Sequence, residues 1–228
     1  MKLSASSGSR SIEWSEPIVV VGKGVPNWSD TYGCLIRCIA GLGETSGWLR
    51  LYPVFVRPIF KIITLVNNFD VIRTVFRKEP PESKPRAESR KICPEKIVKL
   101  GRLEKSQRAR LLIGKTEKGS FLHDDSWMGR KTLGLIRPNI DRLFIDDDNF
   151  PMVKYRCDSR RCGGHTGQLF EFVKTDDMGR THPQKQVPKE QIRNVLKGLA
   201  KDDLRFVMGT HSKYRFRWII IGVHHVNG

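Results

Sequence analysis

Short apolar runs, broken by polar segments rich in glycine and proline, dominate the chain from residue 17 onward. Their two-residue alternation predicts strands over most of it. Residues 17–22 read as an apolar strand, 23–32 as a loop carrying Gly24, Pro26, Asn27 and Asp30, and 33–40 as a second strand. A glycine-rich turn at 41–47 leads into residues 48–52, where Trp48, Arg50 and Tyr52 alternate with Leu49 and Leu51, so these strands form a hairpin. The apolar run 56–66 is too short for periodicity to separate a helix from a buried strand. Residues 69–77 alternate Val71, Arg73, Val75 and Arg77 with Asp70, Ile72, Thr74 and Phe76, and a short strand near 96–100 closes this half.

Residues 77–91 hold Pro80, Pro81 and Pro85 among charges, a composition that predicts a loop or arm rather than core. Residues 104–113 read as a basic helix, after which the order of elements begins again with strands at 132–137, 151–157 and 168–173. The clearest helix spans 188–201, with Pro188 in its first turn and Ile192, Val195, Leu196 and Leu199 on one face. Strands at 204–208 and 214–226 follow. In the latter, Tyr214, Phe216 and Trp218 alternate with Arg215, Arg217 and Ile219. Three strands, a helix and two strands is the order of an OB-fold barrel. The expectation is therefore a mainly β protein with a few helices, folded as two tandem OB-fold-like β-barrels. A flexible tail at 1–14 precedes a first barrel at 15–103 with its basic loop at 77–91. A basic connecting segment at 104–130 leads to a second barrel at 131–228.

Composition adds a partner to this picture. The 228 residues are 39% hydrophobic, enough for a substantial core, while 41 lysines and arginines against 24 acids give a formal charge of +17. A polyanion explains that excess, and nucleic acid is the expected ligand. Residues 1–10 are serine-rich with no apolar run of signal-peptide length, so a cytoplasmic location is expected. The most apolar stretch, 53–66, is interrupted by Arg57, Pro58 and Lys61 and is too short to cross a bilayer as a helix. The five cysteines are odd in number and scattered, and are expected to be reduced.

The cationic candidates fall into three groups. Lys84, Arg86, Arg90 and Lys91 lie on the proline-rich arm, with Arg102, Lys105, Arg108 and Arg110 beyond it. Lys189, Arg193, Lys197 and Lys201 recur at four-residue steps along one side of the last helix. Lys213, Arg215 and Arg217 belong to the final strand region. If the aromatic residues of that strand face the core, its arginines face outward, where they can pair with phosphates or stack on bases. Six neutralised phosphates would give a log–log salt slope of about −5.

Metal chemistry has one candidate. Cys157, Cys162 and His165 offer soft donors in a C-x4-C-x2-H arrangement that suits tetrahedral zinc, and His211, on the turn between the last two strands, is the expected fourth ligand. The alternative is two reduced cysteines and a surface histidine in a glycine-rich loop. Asp146, Asp147 and Asp148, with Asp124 and Asp125, can be read as a magnesium site of a nuclease or, more plainly, as acidic turns. Gly22–Lys23–Gly24 lacks the rest of a phosphate-binding fingerprint. Cys34 and Cys38 are expected as small packing residues. His224 and His225 point to opposite faces of a strand and so do not jointly chelate.

Several short motifs resemble a prokaryotic family of dual OB-fold domain proteins associated with mobile-element and antiviral conflict systems. They are the run from Val19 through Gly22 to Pro26, the Gly-Trp-Leu-Arg-Leu-Tyr-Pro stretch at 47–53, and Pro-Arg-Ala-Glu-Ser at 85–89. Further on come Leu-Gly-Leu-Ile-Arg-Pro at 133–138, the Cys157, Cys162 and His165 cluster, and Gly209-Thr210-His211. The chain departs from the family at 54–68, which is more apolar and less acidic. The resemblance implies nucleic-acid binding within a larger system and the company of other protein subunits. No catalytic signature accompanies it. The remaining readings are an adaptor or inhibitor docking on a nucleic-acid-processing complex, and a metal-dependent nuclease.

Overall fold

The alternating and β-branched runs form strands throughout, and the protein is mainly β with three α-helices among the described residues. The computed structural model describes residues 13–24, 26–56, 66–78, 86–124, 131–148, 150–160, 162–169, 189–199, 203–211 and 217–226. Strands β1 (Ile18–Lys23), β2 (Asn27–Ser29), β3 (Cys34–Gly43), β4 (Gly47–Phe55), β5 (Asp70–Arg73), β6 (Ser89–Lys91) and β7 (Val98–Arg102) make one seven-stranded sheet. Its order is β6-β4-β3-β1-β5-β7, with β2 added to β3. All pairings are antiparallel except β4 with β6. Helices α1 (Lys105–Lys115) and α2 (Phe121–Asp124) follow.

The second half holds β8 (Leu133–Ile136), β9 (Asn139–Ile145), β10 (Pro151–Arg156), β11 (His165–Gln168), α3 (Lys189–Leu199), β12 (Leu204–Thr210) and β13 (Trp218–His225). They form two three-stranded sheets, β11-β10-β9 and β13-β12-β8.

Most expected elements are present, and the differences have local causes. The 23–32 segment contains β2, which pairs with β3 in the register Trp28 to Leu35. Two members of the expected 77–91 loop are buried, Arg86 and Ser89. The loop also ends in a strand, because the free edge of β4 takes up residues 89–91 as a parallel neighbour. Strand β9 was not anticipated. All seven of its residues are exposed or half-buried, and the run Asn-Ile-Asp-Arg-Leu-Phe-Ile has no regular apolar alternation to read. The strand expected at 168–173 begins earlier, at His165, and residues 170–173 lie outside the described set, as do 57–65 and 212–216.

Two cores belong to single halves. One lies within the first sheet, around Ile18, Val20, Ile39, Leu49, Leu51 and Ile72. Another lies between the small sheets and α3, around Val153, Tyr155, Leu196, Leu199, Phe206 and Ile220. A third joins the halves: Val21, Ala40 and Leu42 pack with Leu133, Leu135, Val207, Ile221 and Val226. Leu112 of α1, 1% exposed, is part of this third core, so the segment expected as a basic connector is built into the fold.

Glycines allow the strands of the two halves to meet. A Cβ on Gly222 would lie 2.9 Å from the Val21 carbonyl oxygen, and one on Gly22 would lie 3.1 Å from Val207 and 3.2 Å from Ile221. Beside this contact His224 is buried, packs 4.6 Å from the Phe69 ring and donates its Nε2–H to the Val21 carbonyl.

Polar groups seal the rim of the joint. Arg50, buried on β4, donates through Nη2 to the Thr132 carbonyl at 2.8 Å, and the Thr132 N–H donates to Glu88 at 2.7 Å. No described helix is long and apolar enough to cross a membrane.

Burial holds the His224 imidazole down from 6.5 to about 4, with its bond to Val21 opposing the shift and the nearby His225 and Lys23 charges adding to it. Because the unfolded chain binds the proton and the folded one resists it, this contribution is complete above pH about 6.5 and is lost as pH falls towards 4. The shift corresponds to about 3 kcal/mol. Denaturant melts across this range should show stability falling with acid, and His224→Gln should flatten the slope between these limits. An unchanged slope would show that His224 is not the group responsible.

Candidate functional site

The best-formed constellation lies where α2 meets the β10–β11 connection. Cys157 follows β10, Cys162 sits in the loop beyond it, His165 opens β11, and His123 is carried in by α2. Their donor atoms all lie within 4.8 Å of one another. His123 Nε2 is 3.1 Å from Cys157 Sγ, and the rings of His123 and His165 have centroids 5.0 Å apart. His165 stacks on Tyr155, which is 3% exposed, and this fixes the plane of the imidazole.

Local sequence explains the convergence. Gly119 lies directly under Cys157, where a Cβ would come within 2.3 Å of the cysteine Cβ, and its N–H donates to the Asp158 carboxylate. Only glycine permits that approach. The Gly119 carbonyl then starts the turn that delivers His123, accepting from Leu122 N–H at 3.0 Å. Phe121 anchors the same helix edge-on against Trp218, centroids 5.2 Å apart.

The electrostatics suit a cation that displaces protons. Burial pushes the Cys157 thiol up to about 11, with the neighbouring Cys162 adding to the effect. Burial acts the same way on Cys162 but is outweighed by hydrogen bonds from the N–H groups of Cys157 and Gly164, so this thiol is lowered. His165 is lowered by burial and by His123, which keeps its imidazole neutral as a metal ligand must be. Its Nε2 is buried with no hydrogen-bond partner, an orphan that a metal would satisfy. Tetrahedral zinc spaces its donors by about 3.3–3.8 Å, so small side-chain adjustments would close this cluster around one ion.

Three of the four ligands expected from sequence are thus brought together, and the fourth is replaced. His211 ends the β12 region, where its N–H donates to the Arg217 carbonyl at 2.9 Å and its own carbonyl accepts from Arg86 at 3.1 Å. His123 takes its place. It stands 34 residues before Cys157 on a four-residue helix, so no spacing rule connects them. All five cysteines are free thiols.

The cationic candidates divide by burial. Arg86, expected on an exposed arm, is 5% exposed and holds the two halves together through the His211 carbonyl, so it is structural. Arg90 is exposed on β6 and donates to the carbonyls of Ala87 and Ser89, while Lys91 is half-buried. Arg108 is committed inward, with its guanidinium 5.3 Å from the Phe69 ring centre and its Nε bonded to the Leu103 carbonyl. Arg110, Lys197 and Arg217 are exposed, and Arg193 is exposed but pairs with Glu190 at 3.1 Å. Lys189 opens α3. Lys84, Lys201, Lys213 and Arg215 lie outside the described residues. The Asp146 carboxylate accepts from the Phe150 N–H at 2.7 Å and closes the β9–β10 turn.

Residues 15–114 match a family described as a domain of unknown function (DUF8758), a span that covers the first sheet and all but the end of α1. No curated protein matches the sequence. A solved chain described under the molecular basis for abrogation of activation of pro-inflammatory cytokines is 14% identical, with 72% of this chain and 80% of that one covered, at a TM-score of 0.33. Another, described under structural mimicry for functional antagonism, is 10% identical over 94% of this chain and 93% of that one, at a TM-score of 0.32. Both scores are too low for a shared fold to follow.

The opposite shifts of the paired thiols give a chemical signature. In metal-stripped protein near neutral pH, limiting iodoacetamide should label Cys162 well before Cys157, read by peptide mass mapping. Equal labelling would contradict the assigned environments.

Proposed function

We propose that this protein is a cytoplasmic nucleic-acid-binding subunit of a larger nucleoprotein system, of the defence or mobile-element kind, that grips the phosphate backbone with limited sequence specificity. It acts by binding, and a structural zinc ion braces its second half.

The observation that carries the reading is the continuous unit formed by β7 and α1. Residues 98–115 hold Lys99, Arg102, Lys105, Arg108, Arg110 and Lys115 against the single acid Glu104. Every residue of β7 is exposed, and α1 contains no carboxylate. Asp70 takes up part of the charge of Lys99 and Arg102, at 2.9 and 3.7 Å. Lys105, Arg110 and Lys115 remain as exposed cations along the helix. Such a surface lowers its own repulsion by collecting phosphates and releasing their counterions.

The pairing pattern supports two OB-like barrels as the scaffold. In the first half, the sheet order starts on β6 and ends on β7, which are consecutive in the chain across the 3-10 turn Pro94–Lys96. A bridge between Phe76 and Ile92 draws the continuation of β5 towards that of β6. Read as one bent strand, β6 and β7 give a five-stranded Greek-key ring with β2 as an addition. In the second half, β8 and β9 are consecutive and bond to β12 and β10 respectively, α3 lies between β11 and β12, and β11 rests against β13. The same ring order results.

An adaptor role is the second reading. Three large apolar side chains on the same basic unit, Val98, Leu100 and Ile113, are 45%, 51% and 56% exposed, which a protein partner would cover.

Gel-shift titration at two salt levels tests the primary reading. Binding should weaken steeply with salt, and Lys105→Ala, Arg110→Ala and Lys115→Ala should each weaken it about equally for every sequence, lowering the slope by roughly one per lost phosphate contact. Absence of binding at low salt overturns it.

Elemental analysis addresses the metal. About one zinc per chain is expected, lost in His123→Ala and in the Cys157→Ser, Cys162→Ser double variant, and retained in His211→Ala. Zinc-free protein, or zinc that survives the double variant, removes the site.

A further inference from the structure

We propose that Trp28 and Arg37, side by side on one face of the β2–β3 pair, form a single-strand clamp in which Trp28 stacks on an unpaired nucleobase and Arg37 receives the adjoining phosphate. This rests on the nucleic-acid reading above and adds to it a preference for unpaired strands and a place, away from α1, where that preference arises.

The register brings the two residues together. Trp28 pairs with Leu35, and Leu35 and Arg37 are two residues apart on β3, so all three project from the same side of the sheet. Diagonal neighbours of this kind lie about 7–8 Å apart, with their Cβ atoms somewhat closer. That matches one nucleotide step of an extended single strand. Arg37 marks the inner end of this face, because its partner on β4, Val54, is buried in the core of the first sheet, and an irregularity in pairing follows immediately, between Arg37 and Ile39.

Each side chain is in a state that a ligand would relieve. Trp28 is 59% exposed, the most exposed large apolar side chain among the described residues, on a three-residue strand that a functionless edge would more readily build from polar residues. Arg37 is half-buried and makes no hydrogen bond or ion pair to a described residue, although arginines with comparable or greater burial elsewhere in the fold are all engaged. Burial pulls its guanidinium below the ordinary range, and no carboxylate counters it. A cation withdrawn from water and left without a partner is unfavourable until an anion arrives. Indole over a base with guanidinium on its phosphate supplies both missing contacts at once. A duplex offers no base face to Trp28, so the clamp discriminates against it.

The test measures fluorescence anisotropy of labelled 15-mers, oligo(dT), oligo(U) and a duplex DNA, against wild type, Trp28→Ala, Trp28→Tyr and Arg37→Gln. Trp28→Ala should weaken both single strands roughly 5- to 100-fold while leaving duplex binding within about twofold, and Trp28→Tyr should restore most of the loss. Arg37→Gln should lower the single-strand salt slope by roughly one. Wild type that binds while Trp28→Ala keeps full single-strand affinity, or loses single-strand and duplex affinity alike, overturns the clamp alone. Wild type that binds none of the probes at low salt overturns the nucleic-acid reading, and the clamp with it.

Discussion

The molecule depends on the close approach of β1 to β13. Gly22 and Gly222 bring the two halves into contact at backbone distance, and the third core, with Val21, Leu42, Leu135, Val207 and Ile221, closes around that contact. Interiors pack too densely for a side chain to be inserted there without shifting one half against the other. The joint is directional as well as apolar, because His224 reaches across it to the Val21 carbonyl. Two small β units with modest cores of their own thereby share apolar burial that neither provides alone.

Part of the basic excess is consumed in making this joint. Arg50, Arg86 and Arg205 are buried at 7%, 5% and 5% exposure, and each ties distant segments together: Arg50 to Thr132, Arg86 to His211, and Arg205 to Thr116, with Asp203 as a local partner. A guanidinium suits this role because its planar fork bonds several carbonyl and carboxylate oxygens at once, and it stays charged under burial. The positive charge open to solvent is therefore smaller than the formal +17, and among the described residues it includes the exposed cations of α1. Arg37 differs from the buried three in having no such partner among the described residues.

A metal held by the His/Cys cluster would brace a different weakness. The sheet of β9, β10 and β11 is short, and β9 is exposed or half-buried throughout. Linking His123 of α2 to Cys157, Cys162 and His165 would fasten the helical segment to this sheet. Tyr155 contributes to both, stacking on His165 and standing edge-on to Phe206 in the core at 5.4 Å.

The sequence alone determined the strand-rich character, the hairpin of β3 and β4, the amphipathic α3 and the C-x4-C-x2-H donors, because each depends on neighbours within one element or one loop. It also placed α1 and its cations. Tertiary structure decided everything that pairs distant segments. It recruited His123 in place of His211 through the Gly119 contact, converted Arg86 from an expected phosphate ligand into an interior tie, and drew residues 89–91 into a strand at the free edge of β4. It also turned the segment after residue 103 from a connector into part of a shared core. A side chain's exposure and its long-range partners are properties of packing, and no periodicity in the chain encodes them.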